Sequence, residues 1–176
     1  MLEVIGAIAS FLAPFGITLF DGLVSGLASN RKDKKAAEEK AKKLLFAVYL
    51  QVNNNLASFK SITNTTFKKW KINDKDCKLF IAQFETKAME TLLTHITDIK
   101  KINESEAYNA MLRLVFATKE ITRLSKLSNS LLANQPQCNV ALRLENIKKH
   151  NLTIYRSLFK KGPKKPPKQE EKGKKR

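Results

Sequence analysis

At 176 residues the chain is long enough for one ordinary domain and a tail, and 43% hydrophobic content excludes a wholly disordered polymer. A net charge of +17 says nothing of fold but calls for a polyanionic neighbour, either nucleic acid or the anionic face of a membrane. Two cysteines, Cys77 and Cys138, stand in no CxxC or zinc spacing, which suits a reducing compartment and implies no disulfide framework.

The first element is the uncharged run VIGAIASFLAPFGITLF, residues 4–20, followed by Asp21 and then GLVSGLAS. It begins Met-Leu-Glu with no basic flank, which argues against a secretory signal. Seventeen helical residues would reach about 25 Å, close to the roughly 30 Å of hydrocarbon in a bilayer. Small residues recur four apart, at Gly6 and Ser10, Ala9 and Ala13, and Gly22 and Gly26, a spacing that lets helices approach closely in lipid. Asp21 is expensive in hydrocarbon and should face protein, water or the interface. Pro14 should kink the segment or end a first short helix. Residues 1–30 are therefore expected to insert in a membrane as a single pass. The basic block RKDKKAAEEKAKK at 31–43 would hold its following end on the cytoplasmic side, with Arg31, Lys32, Lys34 and Lys35 next to the lipid.

Four amphipathic helices are expected next, across 31–161. The first covers 36–62, with Leu44, Leu45, Val48, Val52, Leu56 and Phe59 on one stripe and Asn53, Asn54, Asn55 and Lys60 off it. Residues 64–74 read as a connection. Asp74 or Asp76 can cap a second helix that carries Leu79, Phe80, Phe84, Met89, Leu92, Leu93, Ile96 and Ile99. Asn103 with Glu106 resembles a capping box opening a third, which carries Met111, Leu112, Val115, Phe116, Ile121, Leu124, Leu127 and Leu131. Pro136 breaks it, and the fourth runs from about Cys138 to Lys160 with Val140, Leu144, Ile147, Ile154, Leu158 and Phe159 inward. No strand alternation occurs. The simplest topology is an all-α antiparallel bundle. Residues 162–176 are rich in Lys and Pro and are expected to be disordered, with Lys164 and Lys165 available to anionic lipid or RNA.

No phosphate-binding glycine loop, zinc motif or nucleophile elbow appears, so no cofactor or metal is expected. His95 stands alone and reads as structural. One constellation remains, RLENIKKH at 143–150. Seven positions on a helix turn through about 700°, so Arg143 and His150 share a face about 10 Å apart along the axis. Around an RNA phosphate the arginine would stabilise charge and the histidine would act as general acid or base. The bland alternative is a solvated basic face.

Arg, six residues and His on the last helix of a small helical domain resembles the HEPN family, many of whose members are ribonucleases. Leu144 departs from it, because the ribonucleases commonly carry a polar residue there. Taken with the N-terminal apolar segment and the basic junction, the whole chain resembles the accessory membrane-pore proteins of type VI-B CRISPR systems, the "Csx twenty-eight" family. That resemblance implies a HEPN-like four-helix bundle and a ring, an octamer, whose N-terminal helices form a pore in the bacterial inner membrane. It further implies a functional link to an RNA-guided nuclease in antiviral defence. Arg143 and His150 would then be structural or interfacial, with Pro14, Asp21, Gly22 and Gly26 at the pore. Two other readings stand beside it: a membrane-tethered ribonuclease using Arg143 and His150, and a non-catalytic protein holding RNA or anionic lipid.

Overall fold

The computed structural model describes residues 14–28, 33–96, 106–127 and 139–159, with the backbone alone described for 14–18. Seven helices and no strand occur among them. They are α1 (Pro14–Leu27), α2 (Lys34–Ser58), α3 (Asn64–Lys69), α4 (Lys75–Ile81), α5 (Lys87–Thr94), α6 (Glu106–Ser125) and α7 (Val140–Leu158). The all-α expectation holds. Helix α7 lies at the centre, packed on α6, α2, α3 and α1.

Helix α1 begins at Pro14, the first helical position, where a missing N–H leaves no bond unmade. Residues before it lie outside the described residues. Its Leu19, Leu23 and Val24 are buried in the common core against α2 and α7, while Asp21 and Ser25 are exposed on the other side. Gly22 and Gly26 are half-buried. With 14 residues the helix is about 21 Å long, and no helix among the described residues is long and apolar enough to cross a membrane.

Helix α2 buries Ala37, Ala41, Leu45, Val48 and Val52, the three-and-four spacing of a packed stripe. Asn55 continues that stripe and is fully buried, against the expectation that it lies outside. The single helix expected from Asp74 to Ile99 is broken. Helix α4 stops at Ile81, the chain runs on without helix through 84–86, and α5 starts at Lys87. The break is held by α2. The Asn55 side chain accepts from the Glu85 N–H and donates to the Glu85 carbonyl, both at 3.1 Å. Gln51 Oε1 accepts from the N–H of Met89, in the first turn of α5, at 3.4 Å. An orphan donor at a helix start thus finds its partner on another helix. Asn55 Nδ2 also donates to Asn151 Oδ1 of α7 at 3.2 Å, and Asn151 Nδ2 donates to the Ile147 carbonyl at 2.9 Å.

The connection expected at 64–74 contains α3, started by Thr63, whose hydroxyl accepts from the Thr66 N–H. Asp74 occupies the residue before α4 as expected, but its carboxylate turns back to the Lys71 N–H at 2.7 Å and makes no cap bond. Aromatic rings seal this corner, with Phe59 stacked on Phe84 at 5.0 Å and Trp70 at 5.3 Å from Phe80. Cys77 is buried in the same region and its thiol is pushed up to about 11, mainly by burial and then by Asp74.

Two expected core residues of the third helix face solvent instead: Leu112 is 43% exposed and Phe116 is 70% exposed. Leu79 of α4 is also exposed. Asn103, Leu131, Pro136 and Cys138 lie outside the described residues.

Candidate functional site: the outer seam of the last two helices

Helix α7 starts under a side-chain cap, Asn139 Oδ1 accepting from the Leu142 N–H at 3.0 Å. Val140, Leu144, Ile147, Asn151, Ile154 and Leu158 then face inward. This fixes the rotation of the helix and sets Arg143 and His150 together at the edge of the buried stripe, both half-buried and on one face, as their spacing predicts. Leu144 is fully buried. The polar residue that HEPN ribonucleases carry after the arginine would here enter the apolar core.

Arg143 pairs with α6, and His150 feels its charge. Arg143 binds Glu120, with Nη1 to Oε2 at 2.7 Å. His150 lies within the electrostatic reach of Arg113. The pairs run in opposite senses along the two helices, 120 with 143 and 113 with 150, so α6 and α7 are antiparallel. Burial lowers the His150 proton affinity first, and the positive charges of Arg113 and Lys149 lower it further. The shift favours the neutral imidazole, the form able to take up a proton. Arg143 is engaged by a carboxylate and must exchange that partner to meet a phosphate.

On its other flank α6 is joined to α5, where Lys119 Nζ meets Glu90 Oε2 at 2.8 Å. Thr86 donates to Glu90 Oε1 at 2.7 Å, and these bonds, that from Lys119 before that from Thr86, hold the Glu90 carboxyl below its ordinary value.

The remaining expected residues do not join this seam. Asp21, Gly22 and Gly26 lie on α1, and Pro14 begins it. Lys34 and Lys35 are exposed in the first turn of α2, where cations gain nothing from the helix dipole. Arg31, Lys32, Lys164 and Lys165 lie outside the described residues. Among the described residues no three of His, Cys, Asp and Glu gather as metal ligands. A shallow cleft by the start of α7, lined by Phe67, Lys68, Trp70, Leu142 and Glu145, holds no constellation of reactive groups.

Sequence reasoning missed Glu120 and Arg113 as partners of the motif. Their spacing of seven matches that of Arg143 and His150 and was the available signal. Comparison with protein-family models, curated proteins and solved structures returns no match.

Proposed function

We propose that the chain is an oligomeric membrane protein with a HEPN-like helical body, acting as the pore-forming accessory of an RNA-guided antiphage system of type VI-B. The observation that carries this reading is the continuity between the uncharged run at 4–20 and the docked helix α1. Leu19, Leu23 and Val24 seat one side of α1 on α2 and α7. Asp21 stays outside that contact. A crossing by residues 1–30 would require α1 to leave that packing and join the residues before Pro14. Copies standing side by side give Asp21 a water-filled place that a lone span in lipid does not. The body would sit at the cytoplasmic face of the bacterial inner membrane, beside the cations of 31–43.

Mass measurement of the full-length protein in detergent tests this: a large discrete ring is expected, and a monomer or dimer refutes it. In liposomes the ring should conduct ions, and Asp21→Leu should change the flux. Unchanged flux would remove Asp21 from the lumen.

A second reading, a membrane-tethered ribonuclease, is favoured by one observation, His150 sharing a face of α7 with Arg143, its proton affinity lowered by burial. Labelled RNA incubated with the protein in EDTA should then be cut, and His150→Ala should abolish the cut. Intact RNA leaves Arg143 and Glu120 as a structural pair.

A further inference from the structure

Phe116 is the most exposed of the large apolar side chains among the described residues, at 70%, and Leu112 lies one turn before it on α6. A single exposed ring is ordinary. Its setting is what points to a ligand. Glu120 pairs with Arg143 of α7 and the charge of Arg113 is felt at His150, and Phe116 stands one turn from each along α6, rotated roughly 50° further outward. Two exposed arginines share its side of α6, Arg113 one turn before it and Arg123 two turns after. Neither forms an ion pair among the described residues, whereas Glu120 and Glu90 are both engaged. The surface is a ring with its face in water and positive charge before and after it along the helix.

Three kinds of occupant meet an apolar and cationic surface differently. A second copy would set Arg113 and Arg123 against like charges, which is repulsive. A lipid surface uses apolar area, for which one ring and one leucine offer little. Single-stranded RNA uses both features at once, since bases stack on an aromatic face while cations hold the phosphates. We propose that the outer face of α6, centred on Phe116, binds single-stranded RNA, with one base stacked on the ring and the flanking phosphates on Arg113 and Arg123. This site needs neither a pore nor cleavage, and it is separate from the lysines of 31–43 and of the tail.

The test uses the full-length protein in detergent micelles and a fluorescein-labelled uridine 12-mer, followed by anisotropy. Phe116→Ala should weaken binding by roughly 5- to 100-fold, the range for losing one stacked base. Phe116→Trp should bind at least as tightly as the native chain, and Phe116→Leu should behave like Phe116→Ala. Arg113→Gln should lower the slope of affinity against salt by about one phosphate contact. Native affinity in Phe116→Leu overturns the stacking, as does equal binding of an abasic 12-mer. If Phe116→Ala changes the oligomeric mass and leaves RNA affinity intact, the face joins copies and the proposal fails. If it loses only binding to phosphatidylserine vesicles, the face meets lipid and the proposal fails likewise. Loss of ion flux from liposomes bears on the membrane reading alone.

Discussion

The waist where α2, α5 and α7 meet and the outer seam of α6 and α7 are both polar, yet they do different work. At the waist Asn55 and Asn151 are fully buried and uncharged, and their amides are bonded to backbone and to each other. At the seam the groups are ionic and half-exposed, joined by the Arg143–Glu120 pair. A satisfied neutral amide in the interior fixes a chain path, because any other path leaves it unbonded. A half-exposed ion pair is partly screened by water and adds little to stability. The waist therefore holds the fold, and the seam is free to trade partners.

Four measurements sharpen or break that contrast. The largest effect should come from Leu144→Asn, which places an amide in the apolar core beneath the seam. We expect a loss of about 4 kcal/mol in urea unfolding. Near-native stability would show that position 144 reaches water. Asn55→Ala follows, at about 3 kcal/mol, since it strands both backbone groups of Glu85 and the Asn151 oxygen. A double cycle with Asn151→Ala should be strongly non-additive. Arg143→Gln should change stability by less than about 1 kcal/mol, because the pair is half-exposed. A loss the size of the Asn55 variant's would make the seam structural.

The smallest effect is in pH. The folded His150 has a lowered proton affinity, so its contribution is complete above the ordinary imidazole value of about 6.5 and is lost as pH falls through the lower folded value. Melting temperature from pH 8 to pH 5 should fall slightly more in the native chain than in His150→Gln. Arg113→Gln should narrow the gap only in part, since burial is the larger cause.

The long helices were legible because each carries a stripe at helical spacing that is apolar but for one or two amide side chains. Lys34–Ser58 and Val140–Leu158 lie within about two residues of the expected ends, apart from the four residues after Ser58. The break at 82–86 was not legible. The apolar residues on both sides keep helical spacing, and what interrupts the helix is a bond from Asn55, thirty positions earlier. Asn55 itself follows Leu45, Val48 and Val52 at the same spacing, and polarity alone misplaced it outside. The shared face of Arg143 and His150 follows from helix geometry, whereas Glu120 and Arg113 depend on how two helices slide past each other. Phe116 shows the opposite error, a large apolar side chain assigned to the core from its type although it lies beyond the edge of the buried stripe.

Helix α7 has one more consequence. It carries the outer seam on one side and supports α1 on another. Whatever prefers one setting of α7, from either direction, acts on a single shared lever. If occupation of the seam biases how α1 sits, whatever binds α1 must bias the seam by the same free energy, since coupling between two equilibria is reciprocal. The two ends of this small protein are thermodynamically in conversation through one nineteen-residue rod.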